Sequence, residues 1–267
     1  MITKRLAVML GVALYGVITA FYLAQLGSFN HPAFTGALFL LPPGLATICG
    51  VYTMKIYGWS STFGKVVTFL TAGLGCWFIG ETLFYLFQFA FHINPFPSVA
   101  DVFYLLAYPL LLVGLLREIS SRHIRRAQFD KFFYTAASIV GLLLTFIVGY
   151  FGIFQAYDSS QPLLNNVVAI SYGVGDLILV VPGIFILKAA LSFRPGKLFY
   201  SWLFAFLGLL AIMAGDILYA IYNVQYTALD PAYSLIDLTW TAGYLLFAYS
   251  FYYTARTVRE VQATMLK

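Results

Sequence analysis

Charge is what this sequence lacks most. Only 9% of its 267 residues are Asp, Glu, Lys or Arg, against about a quarter in a soluble domain. So few charges will not cover a water-facing surface, which excludes an ordinary soluble globular protein. Cysteine is nearly absent. Cys49 and Cys76 both lie in apolar runs, so no disulfide framework is available and both are read as free buried thiols. Histidine is equally scarce. His31 and His92 fall at segment ends and His123 in a basic loop. No pair faces across a span, as a membrane haem requires. No lysine lies inside the last apolar segment, and Lys188 sits at the end of its own, so retinal Schiff-base chemistry is excluded. No His-Glu-x-x-His, Gly-x-Ser-x-Gly or phosphate loop occurs. No polar stretch exceeds roughly 15 residues, too short for an independent soluble core.

What is there is apolar length. Hydrophobic residues make up 61% of the chain, and a spanning helix needs about 20 of them in a row. Eight segments qualify: 6–27, 35–57, 66–92, 98–117, 132–155, 163–190, 199–224 and 234–255. They are too long and too evenly apolar for the alternation of a barrel. The expected fold is all-α, a polytopic bundle of eight transmembrane helices forming one membrane domain over 1–267. The first segment follows "MITKR" and lacks a small-x-small cleavage site, so an uncleaved first helix is expected.

The basic residues orient the bundle. Lys4 and Arg5 precede the first segment. Lys55 and Lys65 flank the second loop. Arg117, Arg122, Arg125, Arg126 and Lys131 crowd the fourth. Lys188, Arg194 and Lys197 flank the sixth, and Arg256, Arg259 and Lys267 follow the last segment. All 15 Lys and Arg fall on one side. The expectation is a multi-pass protein of the cell (inner) membrane with both termini cytoplasmic. The net charge of +5 then follows from topology. The lipid bilayer is the partner it implies, and nucleic acid is not one. "RHIRR" (122–126) reads as a positive-inside stop, with anionic headgroup binding as its second reading.

Polar positions recur along the chain. "GETLFYLFQFAFHINPFPSVADVFYLLAYP" (80–109) matches "GDILYAIYNVQYTALDPAYSLIDLTWTAGY" (215–244) at few but telling places. Gly80-Glu81 matches Gly215-Asp216. Pro95, Asp101 and Tyr108 match Pro231, Asp237 and Tyr244. Pro43-Gly44 matches Pro182-Gly183 more weakly. The chain therefore reads as two four-helix halves, about 1–125 and 126–260. An even number of spans per half makes them parallel repeats.

Carboxylates at membrane depth are costly and mark functional hypotheses. Five qualify. Asp101 and Asp237 close the Ser-x-x-Asp starts at Ser98 and Ser234, which predicts two capping boxes at the outer rim, with a further ligand or partner contact as the other reading. Glu81 and Asp216 lie mid-helix. Glu81 and Tyr108 reach one depth on neighbouring antiparallel helices, as do Asp216 and Tyr244. Each pair predicts a carboxylate–phenol hydrogen bond within its own half. That bond reads either as interhelical glue or as part of a proton, cation or ligand site. Asp176, in "SYGVGDLILVVPG", has no twin and no basic residue at its depth, and Gly173 and Gly175 beside it allow close backbone approach. No catalytic set, metal set or cofactor emerges, although an outer-rim grouping of His31, His92 and Asp101 stays open.

"NPFPSVADVFYLLAYPLLLVGLL", "YGVGDLILVV", "AGDILYAIYN" and "SLIDLTWTAGYLLFAYS" resemble the eight-helix membrane domain at the N-terminus of bacterial and archaeal diguanylate cyclases and histidine kinases. The resemblance implies a sensory bundle of unspecified ligand and no catalytic residues. No effector portion follows "RTVREVQATMLK" (256–267), so the expectation is either a separate signalling effector or other membrane subunit as partner, or a bundle that works without one. Val258, Val261 and Met265 keep 3–4 spacing there, the start of a coiled-coil stripe or a plain helix end. Three readings follow. One is a sensory or interaction subunit with an outward polar site, not itself an enzyme. The second is a small secondary transporter using intramembrane carboxylates. The third is an intramembrane lipid hydrolase.

Overall fold

The computed structural model describes residues 3–27, 29–121, 131–155, 157–192 and 199–265. The basic cluster 122–126, with His123, and Arg194, Lys197 and Lys267 lie outside the described residues. Those described are almost wholly helical. The helices are α1 (Lys4–Gln25), α2 (Pro32–Phe39), α3 (Leu41–Tyr57), α4 (Thr62–Tyr85), α5 (Val99–Ser121), α6 (Lys131–Ile147), α7 (Leu163–Ser192), α8 (Phe199–Thr227) and α9 (Asp237–Met265).

Local chemistry sets these bounds. Thr3 and Ser61 cap α1 and α4 by accepting from the amides of Leu6 and Gly64. The segment expected as one helix over 35–57 is two. Leu40 ends α2, and Pro42 and Pro43, which lack amide hydrogens, sit in the first turn of α3. The matching Pro182-Gly183 does not break α7, which runs through it. π-helical turns extend α4 over Leu86–Ala90 and α6 over Val148–Phe154.

Seven helical stretches are long and apolar enough to cross a membrane: Lys4–Gln25, Pro32–Tyr57, Thr62–Ala90, Val99–Ser120, Lys131–Phe154, Leu163–Lys188 and Phe199–Thr227. The eighth expected span belongs to α9, which is less apolar. The reason is its position. It packs against α1, α3 and α8, and Thr241, Tyr244, Ser250, Thr254 and Thr257 on it are buried. A helix enclosed by protein does not need a lipid-facing coat.

Six helices close a ring in the order α3, α4, α5, α7, α8, α9 and back to α3. Outside it, α1 lies on α9, while α6 and its π-helical end lie on α7 and α8. Small residues let the ring tighten. A Cβ on Gly208 of α8 would lie 3.1 Å from the Gly243 carbonyl oxygen of α9, and the reverse distance is also 3.1 Å. Hydroxyls tie neighbours: Thr53 donates to the Phe251 carbonyl at 2.9 Å and Ser250 to the Ser201 carbonyl at 2.7 Å.

The two ends of the bundle differ in charge. At one end Lys4 of α1 bonds Glu260 of α9 at 2.9 Å. Nearby, Arg259 stacks on Tyr52, Arg117 on Phe69 and Lys188 on Phe133. Lys4 and Arg256 hold the Glu260 carboxyl below its ordinary pKa, the Lys4 hydrogen bond first. At the other end lie the α4–α5 and α8–α9 loops, and there Tyr22 of α1 bonds Asp237 of α9. Helices α1 and α9 are therefore antiparallel over nearly their whole length. Between the ends, Leu70, Leu74, Leu111, Leu115, Leu209 and Phe247 form a buried apolar plug.

Candidate functional site

A cavity of about 90 Å³ fills the ring between the plug and the loop end. Phe96, Asn223 and Tyr226 border it near the loops. Trp77, Tyr108 and Ile212 floor it above the plug. Glu81, Asp101, Asp176 and Asp216 line it, and among the described residues no Lys, Arg or His does. It has room for several waters or a small molecule.

The carboxylates are held by aromatic donors in a regular way. Glu81 accepts from Tyr104 at 2.7 Å and from Tyr244 at 2.8 Å. Asp216 accepts from the Trp240 indole at 2.8 Å and from Tyr108 at 3.0 Å. Tyr108 also lies 3.2 Å from Asp176 Oδ1. Each of Glu81 and Asp216 thus takes one donor from the adjacent helix and one from across the ring. The pairs expected within each half, Glu81 with Tyr108 and Asp216 with Tyr244, are exchanged. The depths agree within one turn, but the facing differs. Tyr104, one turn earlier on α5, points at Glu81, so Tyr108 turns to α7 and α8.

A glycine precedes three of these acids, and in each case an aromatic ring occupies the space it leaves. A Cβ on Gly80 would lie 2.8 Å from the Tyr104 ring, one on Gly215 2.4 Å from Trp240 Nε1, and one on Gly175 2.5 Å from the Tyr108 ring. Those are the aromatic groups that reach Glu81, Asp216 and Asp176. The Gly-acid pairs therefore work as units: glycine seats the ring and the carboxylate accepts its hydrogen. Beside Asp176 the close backbone approach is at Gly173, where a Cβ would lie 3.1 Å from the Gly152 carbonyl oxygen. Gly175 instead admits a side chain.

The two Ser-x-x-Asp starts differ. At α5, Asp101 accepts from the Ser98 amide at 2.6 Å and Ser98 Oγ from the Ala100 amide at 3.1 Å. Asp101 also accepts from Tyr172 of α7, so capping and a contact across the ring share one carboxylate. At α9 no capping box forms. The Ser234 amide already donates to the Asp230 carbonyl at 3.1 Å, and a 3₁₀ turn over Tyr233–Ile236 leads into the helix. Ser234 donates to the Pro231 carbonyl instead. Asp237 is left to accept from Tyr22 and, at 2.6 Å, from Tyr226.

Asp176 is 4% exposed, and its Oδ2 has no hydrogen-bond partner among the described residues. The Asp216 carboxyl is the neighbouring acid that interacts with the Asp176 side chain. The one hydroxyl hydrogen of Tyr108 faces oxygens of both acids. A proton or a cation is needed to complete this group. The Tyr219 hydroxyl, also at the cavity, is a second buried polar atom without a partner among the described residues.

The outer-rim grouping of His31, His92 and Asp101, open on sequence alone, does not assemble. His31 and His92 border a shallow surface recess, while Asp101 faces the central cavity. Among the described residues no three His, Cys, Asp or Glu side chains converge as metal ligands. Sequence reasoning missed Tyr104, Tyr172, Trp240 and Tyr22. Tyr104 and Trp240 were findable, since each follows its Ser-x-x-Asp by three residues. Tyr172 lies one turn before Asp176 and shares its face. Tyr22 sits in a plain apolar helix and carries no local signal.

Architecture and site together define a helical integral membrane protein with a polar, acid-lined central cavity. Compared with family models, characterised proteins and solved structures, the chain matches none of them.

Proposed function

We propose that this protein crosses the bilayer eight times, as two parallel four-helix halves, and receives a small ligand from the outer side as a sensory or interaction subunit. Both termini and the basic end lie in the cytoplasm on this reading, in keeping with the positive-inside rule. The placement of the cavity carries the proposal: it reaches from the loop end to Asp176 and stops at the apolar plug. A receptor site needs one mouth and a closed floor. The two-half arrangement draws support from the exchanged donors of Glu81 and Asp216. It draws more from the loops, where His92 and Leu229 both adopt left-handed backbone, with φ of 53° and 60°. The eighth span is α9, enclosed by its neighbours.

The test is recovery from native membranes under mild detergent. A bound small molecule, detected by mass spectrometry, or a stoichiometric signalling partner is the expected result. Recovery with neither would overturn the sensory reading. Transport is a second reading, favoured by the unfilled Asp176 oxygen at mid-depth and by Pro109 and Pro182 inside α5 and α7. Solute or ion flux in liposomes that Asp176→Asn abolishes would establish it in place of the first.

A further inference from the structure

We infer that the central cavity takes a small organic ammonium group, with Asp176 and Asp216 as its counter-charges and aromatic faces as its walls. This deepens the reading of the cavity as a ligand site and rests on it. Four carboxyl groups line the cavity, and among the described residues no basic side chain joins them. Asp176 lines this space and is 4% exposed, and its buried Oδ2 has no donor among the described residues. The missing partner is therefore a hydrogen-bond donor or a positive charge.

The walls decide which kind of cation fits. Trp77, Tyr104, Tyr172, Tyr219, Trp240 and Tyr244 all line the cavity. Their rings brace one another edge to face: Trp77 on Tyr244 at 6.2 Å and Tyr104 on Tyr172 at 6.2 Å between centroids. The hydroxyls of Tyr104, Tyr172 and Tyr244 are already given to Glu81 and Asp101. What these side chains still offer is ring surface and oxygen lone pairs, both suited to a cation. A bare metal ion needs several oxygens converging on one point, and no such set of side chains forms among the described residues. A proton alone leaves the aromatic walls and most of the 90 Å³ unused. An organic ammonium is weakly hydrated, fills that space and meets both carboxylates and rings.

The ammonium could belong to a free amine or to a lipid headgroup, and one experiment separates them. The full chain is placed in nanodiscs of phosphatidylglycerol alone or of phosphatidylcholine. Trp77 and Trp240 report cavity occupancy by fluorescence. Choline and ethanolamine are titrated beside the uncharged carbon analogue of choline. A saturable response to an amine and none to the neutral analogue is the expected result in phosphatidylglycerol. Persistence in phosphatidylcholine identifies a free amine. Loss of the response there, with an occupied signal at the start, identifies the headgroup. Asp176→Asn should weaken amine binding roughly tenfold or more, the loss of a charge partner worth at least about one decade. Equal response to amine and neutral analogue, no response to any amine in either disc, or unchanged affinity in Asp176→Asn would overturn the inference. If that variant does not fold, the analogue comparison on the unaltered chain decides alone. A neutral or anionic molecule found in the cavity by mass spectrometry would overturn the ammonium class while keeping the ligand site.

Discussion

Asp101 and Asp237 stand at the same step of the same Ser-x-x-Asp pattern, yet they do different work. Asp101 spends one oxygen on the Ser98 amide and the other on Tyr172. Asp237 spends both on phenols, Tyr22 and Tyr226, because the Ser234 amide is already bonded within the preceding turn. A local motif states what a side chain can do. The backbone just before it decides whether that service is needed. The nests around Glu81 and Asp216 teach the converse. There the local sequences differ, Tyr104 against Trp240, but the geometry is the same: one donor from the neighbouring helix and one from across the ring.

The comparison can be broken most forcefully at the two Ser-x-x-Asp sites. Asp237→Ala orphans the buried Tyr22 hydroxyl and the half-buried one of Tyr226 and should cost about 2–4 kcal/mol. Asp101→Ala removes a cap and one hydroxyl partner that faces the cavity, where water can replace it, for about 1–2 kcal/mol. Unfolding in mixed micelles measures both, and equal losses would contradict the assignment. Next come the glycines. Gly215→Ala forces Trp240 off Asp216 and should cost about 1–3 kcal/mol. Gly80→Ala should cost less, since its clearance to Tyr104 is 2.8 Å against 2.4 Å. Tryptophan fluorescence should move in the first variant more than in the second. A smaller effect is expected from Tyr244→Phe, about 1 kcal/mol, because Glu81 keeps Tyr104. Tyr108→Phe strips the shared donor from Asp176 and Asp216 together and should exceed it.

The smallest effect contrasts the buried loop end with the exposed terminal end. Glu260 bonds Lys4 and Arg256 there, and its folded pKa lies below its unfolded value. Its contribution is full above the usual carboxylate range and is lost as pH falls through the folded value. Being solvent-screened, it is worth less than about 1 kcal/mol. Glu260→Gln should remove that pH dependence in a melting series and change little at neutral pH.

The helical segments were legible because a run of about 20 apolar residues has few alternatives to a spanning helix. The exceptions have local causes. Pro42 and Pro43 split the second segment, and α9 carries hydroxyls because it is enclosed by α1, α3 and α8. The acids of the site were legible as well. A carboxylate in an apolar run is expensive enough that it signals its own importance. Their donors were not, since Tyr and Trp are abundant everywhere in this chain and abundance hides the few that matter.

By itself, then, the sequence determined that the chain is an apolar helical bundle, with its described basic residues gathered toward one end. It also determined that Glu81, Asp101, Asp176, Asp216 and Asp237 would be buried or half-buried and in need of partners. Both follow from the cost of placing charge and unpaired backbone in a medium without water. Tertiary structure alone decided which partners they found. Helix rotation sends Tyr244 to Glu81 and Tyr108 to Asp216, and ring closure leaves one Asp176 oxygen without a donor among the described residues. The facing of a side chain across a bundle depends on the angular setting of six helices at once. No stretch of sequence short enough to read as a motif contains that information.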